Sequence, residues 1–430
     1  MSSAKRSSQP PRRIGLVDCN NFYASCERAF NPQWANVPLG VLSNNDGCIV
    51  ARSSELKQAG IPMGAPYFKW RDQLAAMGAV VVSSNYALYG DMSHRVMSVL
   101  GEFTPELEVY SIDEAWLDLT GFDPAELDAY GREVVSKTQQ YTGIPVSMGM
   151  APTKVLAKLA NRICKQRRIP GQVFNLGSAD ALDEVLAMVP VEDIWGIGRR
   201  WAKRLKQQHI QTAKELKEAD PSALRQRYNV VMERIVLELR GIPCLEFEDI
   251  APRQTIQVSR SFGVKVTAKK DLLEAAATYA SRAAVKLRQQ HSVCAALQVS
   301  IRSSRFHPSE PQCAAATTIA FPVPTADTRP LIAAATTGIE QIYQPGIRYA
   351  KAGIMLLDIS PAATTQQHLF AVGDSEKSAR LMATLDQLNQ TLGAKTLFFA
   401  REGMQQPWSM KRDNVTPAYT TRWSDIPVVS

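Results

Sequence analysis

Between residues 255 and 358 the hydrophobic pattern switches between a two-residue and a 3.6-residue period in a set order: strand 255–264, helix 271–290, strand 293–302, strand 316–323, helix 328–343, strand 349–358. That order is a split β-α-β-β-α-β unit, which needs a single sheet with both helices packed on it. The same stretch is lopsided in charge. Residues 253–305 carry ten basic side chains (Arg253, Arg260, Lys265, Lys269, Lys270, Arg282, Lys286, Arg288, Arg302, Arg305) against Asp271 and Glu274, a net +8 that equals the excess of the whole chain. A solvated face explains any one of these residues, but a run this uneven reads as an electrostatic footprint for nucleic acid.

This unit fills only part of 430 residues, and at roughly 100–200 residues per domain the chain holds two to four. With 45% hydrophobic residues it can build more than one core and is not a disordered chain. No run approaches the ~20 apolar residues of a membrane span, and MSSAKRSSQPPRR lacks an apolar region behind its basic residues. The expectation is a cytoplasmic protein without membrane contact. Seven cysteines without a C-x-x-C pair read as reduced thiols. Before the split unit come a buried strand in RIGLVDCN, a helix in NFYASCERAF and a small insert to about residue 78. Strands follow near 79–84, 107–119 and 144–151, with helices from about Ala87 to Phe103, over 124–141 and after Thr153. Residues 181–244 read as a small helical domain, 245–253 as a linker, and the last seventy residues as a partly ordered tail with a helix in SEKSARLMATLDQLNQ.

Three carboxylates stand beside apolar strands: Asp18 after IGLV, and Asp113 with Glu114 in YSIDEAWLDL. On a regular strand Asp113 and Glu114 point to opposite faces, so one site can use both only where the chain turns or bulges. A solvated acidic turn is the plain alternative. Two unit charges ~4 Å apart at an effective dielectric near 20 repel by about 4 kcal/mol, so a carboxylate cluster needs cations. Hard oxygen donors of this kind suit Mg²⁺, and two ions could serve an in-line phosphoryl displacement. WGIGRRWAKRL brackets a turn with Gly196 and Gly198 ahead of Arg199, a hairpin that can leave helix amides free for a phosphate.

DCNNFYASCE at 18–27, LSNNDGCIVARS at 42–53, SSNYALYGDMS at 83–93, YSIDEAWLDLTG at 110–121, APTKVLAKLAN at 151–161 and WGIGRR at 195–200 occur in the order found in Y-family DNA polymerases. With SRSFG at 259–263, KAG at 351–353 and MKR at 410–412, the chain most resembles the UmuC-type catalytic subunits of that family over roughly residues 14–425. The resemblance implies an α+β multidomain right hand: palm at 14–30 and 79–180, fingers at 31–78, helical thumb at 181–244 and split βαβ little finger at 254–360. It implies error-prone translesion synthesis in the SOS DNA-damage response, with dNTP and primer-template DNA as substrates. Asp18, Asp113 and Glu114 match the catalytic carboxylates and, with the Cys19 carbonyl, the ligands of two Mg²⁺ ions. Tyr23 matches the steric gate against ribonucleotides, with Phe22 beside it.

Arg52, Lys57 and Lys154 match residues facing the incoming triphosphate, and Tyr89 lies in a motif of the nucleotide cleft. Gly196, Gly198, Arg199, Arg260 and Lys265 are the DNA contacts implied. Gln366, Leu369 and Phe370 in TTQQHLF resemble a sliding-clamp peptide, and relatives also work with a cleaved UmuD-type dimer and a RecA filament. The extension through Arg13 departs from the family pattern. A catalytically inactive, clamp-tethered DNA-binding accessory protein is the rival reading, and a metal-dependent nuclease a third. Intact Asp18, Asp113, Glu114 and Tyr23 speak against the rival, and the gate match at Tyr23 against the nuclease.

Overall fold

The computed structural model describes residues 11–177, 179–248, 252–364 and 373–427. The chain divides into two compact units. The first comprises residues 1–42, 48–249 and 414–430, and the second residues 43–47 and 250–413. Among the described residues no helix is long and apolar enough to cross a membrane.

The first unit is built on a five-stranded sheet in the order Leu107–Val109, Glu114–Asp118, Ile14–Cys19, Val146–Ala151, Val173–Asn175. All neighbours are antiparallel except the last pair. Because side chains alternate across a sheet, each face feeds its own core. Val17, Ala115 and Leu117 pack against the helices Phe22–Phe30, Tyr86–Leu100 and Leu127–Thr142. Ile14, Leu16 and Trp116 face the helix Lys154–Arg167, and that core runs on into five short helices between Ala179 and Leu239. Gly149 lets the Lys154–Arg167 helix lie against the sheet, since a Cβ there would come within 2.1 Å of the Asn161 nitrogen and 2.4 Å of the Ala157 oxygen. A small sheet in the order Ile49–Arg52, Leu39–Leu42, Val80–Ser83 has its own core of Leu42, Ile49, Leu56, Ile61 and Leu74.

The second unit contains all six elements read from the sequence between 255 and 358, in that order. Its four antiparallel strands are ordered Ala314–Thr325, Ser292–Ser303, Tyr349–Pro361, Ile256–Val266. The alanine-rich helix Lys269–Gln289 and the helix Thr328–Ile342 share the buried core with one face of this sheet. At Gly338 a Cβ would meet Val299 Cγ2 at 2.5 Å, so small residues set how closely helix and sheet approach.

Two stretches differ from the sequence reading. The tail is docked through its described part: Arg288 grips Asp386 of the helix Glu376–Thr391 with two 2.7 Å bonds, and Trp408 is buried against Phe262 and Tyr279. The stretch read as a linker packs at its start, where Leu245 and Phe247 lie on the helical core. The linker stretch has no hydrophobic period, and the helix read in the tail, present at Glu376–Thr391, carries no local mark of its distant partner Arg288, so periodicity could not announce these packing arrangements.

Candidate active site

Asp18 is next to last in its strand and sits in register opposite Glu114, the first residue of the neighbouring strand. Asp113 lies in the turn just before, and its carbonyl accepts a 2.8 Å bond from the Cys19 amide. The turn that the sequence required is thus present. Like charges directly opposite on neighbouring strands repel, and here two lysines answer them. Lys165 binds Asp18 Oδ1, and Lys158 Nζ lies 2.9 Å from Glu114 Oε2. Burial pushes the Asp18 carboxyl up to about 6, with Glu114 adding to the rise and Lys165 opposing it. Asp113 Oδ1 accepts a 2.6 Å bond from the Ser111 hydroxyl.

Both lysines project from the helix Lys154–Arg167, at spacings of four and eleven from Lys154, which put the three near one helical face. Asn161 fastens this helix to the sheet by donating to the Leu16 and Ser147 carbonyls, at 3.2 and 2.7 Å. Between helix and strands lies a cavity of about 410 Å³ lined by Asp18, Glu114, Lys158, Arg162, Lys165 and Trp195. On another side stand Arg52 and Lys57. The Lys57 ammonium is held below the usual lysine range by burial first, then by the Arg52 and Lys165 charges, with Asp18 pulling the other way. Its Nζ donates to Asn21 Oδ1, while the Arg52 guanidinium donates to the Ile61 carbonyl. Lys57, Arg52 and Lys165 thus lie close enough to act on one another, a grouping of cations that suits an anion with several oxygens.

Among the described residues no group of three or more His, Cys, Asp or Glu side chains is gathered as a metal cage. The donor chemistry nonetheless fits a hard divalent cation: Asp18, Asp113, Glu114 and the Cys19 carbonyl offer oxygen only, at adjoining strand ends. The Cys19 side chain is not part of that set, because burial first, with Asp18 and Asp113 adding to it, drives its thiol far above the usual range.

Asn20 and Asn21 reverse the chain from strand to helix, and Asn21 takes φ 51°, a left-handed conformation that asparagine tolerates. Tyr23 follows in the first turn. Its ring stacks on Tyr89 at 4.3 Å and 14°, and meets Tyr86 edge-on at 6.1 Å. Burial raises the Tyr23 phenol above its ordinary range, and the field of Asp113 contributes. Phe22 is buried in the core and packs beside Tyr23, with ring centroids 5.7 Å apart, and Tyr89, fully buried, backs Tyr23.

Lys154, read as facing the triphosphate, is committed elsewhere. It is 3% exposed, and its Nζ binds Glu108 Oε2 at 2.5 Å and the Glu246 carbonyl at 2.7 Å, over the Trp116 and Phe247 rings. Lys165 and Lys158 stand at the carboxylates in its place. The lysine stripe of KVLAKLANRICK was the signal available for them.

Gly196 takes φ +91°, and a Cβ there would meet Ile235 Cδ1 at 2.9 Å, so the turn into the next helix needs glycine. Gly198 caps the helix Arg199–Lys206. In the second unit Arg260 lies among like charges, since it depresses Arg282, Lys286 and Lys351, each already lowered chiefly by burial. Lys265 differs. Glu310, five residues beyond the basic window, binds it at 2.8 Å and also holds Arg348 at 3.0 Å, so Lys265 brings little free charge to a polyanion. Gln366, Leu369 and Phe370 lie outside the described residues.

The impB/mucB/samB family model matches residues 17–162, its C-terminal domain matches 253–369, and a domain of unknown function matches 379–429. The chain is 46% identical to protein UmuC of Salmonella typhimurium over 96% of its own length and 99% of that protein's. It is 40% identical to protein MucB of Escherichia coli, over 97% and 99%, and 27% identical to DNA polymerase IV 1 of Halalkalibacterium halodurans, over 68% and 70%. A solved Y-family DNA polymerase chimera superposes with a TM-score of 0.66 at 20% identity, over 81% of this chain and 99% of that one, and so shares its fold. With the carboxylate pair at adjoining strand ends, lysines bound to it and Tyr23 in the helix that follows, and with relatives matched almost end to end, the chain belongs to the impB/mucB/samB family and is a Y-family DNA-directed DNA polymerase of the translesion class.

Proposed function

We propose that the protein extends primers past damaged template bases during the SOS response in the cytoplasm, a primer 3′-hydroxyl attacking the α-phosphate of a dNTP with release of pyrophosphate. The observation that carries this reading is Asp18 in register opposite Glu114, with Lys165 bound to Asp18 and Lys158 to Glu114, and with Lys57 within the fields of Lys165, Asp18 and Arg52. Asp18, Asp113, Glu114 and the Cys19 carbonyl would hold two Mg²⁺ ions, which when bound supply the charge needed by the attacking and leaving oxygens. Lys165 and Lys57 bind the triphosphate, Lys165 exchanging the Asp18 carboxylate for a phosphate oxygen. Lys158 stays with Glu114 and keeps that carboxylate oriented. The Tyr23 ring excludes a 2′-hydroxyl from the sugar position.

The free amides at Gly198, the Arg199 side chain and the cations around Arg260 grip the DNA backbone without reading bases. Gln366, Leu369 and Phe370 tether the enzyme to the sliding clamp, and a cleaved UmuD-type dimer and a RecA filament are its proposed partners. The test is primer extension on templates with and without a lesion. Synthesis should require Mg²⁺, pass the lesion, and vanish in Asp113→Asn while DNA binding persists. Full extension by Asp113→Asn would sink the assignment.

A further inference from the structure

The domain of unknown function covers residues 379–429, and its last part, from Asn414, belongs to the first unit. There it touches both helices that surround Tyr23. The Asn414 carbonyl accepts from the Ser83 amide at 2.9 Å and the Asn414 amide donates to Ser83 Oγ at 3.0 Å, just ahead of the helix Tyr86–Leu100. The Asn85 side chain then works in both directions. Its Oδ1 accepts from the Leu88 amide and caps that helix, while its Nδ2 donates to Thr416 O, Thr416 Oγ1 and Pro417 O at 3.0–3.2 Å. The Thr416 hydroxyl passes the chain on to Glu27 Oε1 at 3.3 Å, and the same oxygen accepts the Tyr89 hydroxyl at 2.7 Å. Tyr419 stacks on Phe30 at 4.9 Å and 4°. Glu27 and Phe30 lie four and seven residues beyond Tyr23, on the same side of its helix.

We propose that Asn414–Tyr419 is a positioning element for the sugar gate, clamping the Tyr86 and Tyr89 helix to the Tyr23 helix so that the Tyr23 ring has a rigid backing; this rests on Tyr23 being the gate. Rejecting an extra hydroxyl is what most needs rigidity, because a pocket that merely fits poorly discriminates by only about 10². Glu27 makes the clamp sensitive to Thr416. The carboxyl is fully buried, its Oε2 has no hydrogen-bond partner among the described residues, and burial pushes it up to about 7. Removing the Thr416 hydroxyl leaves only Tyr89 to satisfy it.

The test uses the full chain and measures kcat/KM for matched deoxyribo- and ribonucleoside triphosphates. Thr416→Val keeps the shape and loses the hydroxyl. It should lower sugar discrimination about ten-fold, the worth of one such hydrogen bond, with deoxynucleotide use close to wild type. Thr416→Ser should restore discrimination, and Tyr419→Ala should shift it the same way as Thr416→Val. In a Tyr23→Ala background Thr416→Val should add nothing. Discrimination unchanged by both tail variants at an unchanged melting temperature, or an equal loss for both sugars, overturns the inference and leaves the gate intact. If Tyr23→Ala discriminates like wild type, the gate reading itself fails and the inference falls with it.

Discussion

The two units treat positive charge in opposite ways. In the first, the lysines of the Lys154–Arg167 helix each meet a carboxylate: Lys154 with Glu108, Lys158 with Glu114, Lys165 with Asp18. In the second, Arg260, Arg282, Lys286, Arg302 and Lys351 form no ion pair among the described residues and press on one another. Paired charges belong where a substrate must exchange partners one at a time, and unpaired ones where a polyanion can release counterions along its length. Exposure grades the pairs further. Lys154 and Glu108 are 4% and 13% exposed, against 31% and 18% for Lys165 and Asp18, so the first is fixed and the second is open to exchange.

The harshest way to break this contrast is Asp18→Asn. It should cost at least ~10³-fold in kcat/KM, about 4 kcal/mol of barrier, with DNA affinity by fluorescence anisotropy unchanged. Next, Lys154→Ala should act on folding rather than substrate: an unpaired Glu108 in that setting costs about 3–5 kcal/mol, seen as a lower melting temperature. Lys165→Ala should do the reverse, raising KM for dNTP ~10–100-fold at little cost in stability, as removal of a charged hydrogen bond to phosphate does. If the two lysines behave alike, the division into fixed and exchangeable pairs is wrong.

For the second unit, Arg260→Glu with Lys286→Glu should flatten the salt dependence of duplex binding by roughly 0.9 in log-log slope for each phosphate no longer neutralised. Lys265→Glu should change it less, since Glu310 already neutralises that ammonium. The smallest effect concerns a buried carboxyl with no cation at all. Glu27 is raised from 4.5 to about 7 by burial, against the opposing bonds of Tyr89 and Thr416. Its contribution to stability is therefore full below about 4.5 and lost as pH rises through about 7. Glu27→Gln should remove that slope from a plot of melting temperature against pH.

How far the sequence could be read follows from the range of the interactions. The split unit was legible because each element carries its own hydrophobic period, and the Asp113 turn because a strand cannot aim two neighbours at one site. Lys154 was misplaced because Glu108 and Glu246, which bind it, are 46 and 92 residues away. Lys158 and Lys165 were within reach, on a lysine stripe at helical spacing, but nothing local distinguishes a lysine facing a carboxylate strand from a solvated one. Trp408 and Thr416 had no local signal at all, since their partners lie in other elements.

The Thr416 to Glu27 bond spans 389 residues, nearly the whole chain. Translation runs at ~5–20 residues per second, so Glu27 leaves the ribosome roughly 20–80 s before its partner exists. The helix that bears Tyr23 is made long before the segment that secures it. A chain released early, or clipped near residue 413, would keep the residues from Asp18 to Glu114 but lack the support behind Tyr23. On the proposed gate and its support, such a fragment should lose selection between the two kinds of sugar before it loses catalysis.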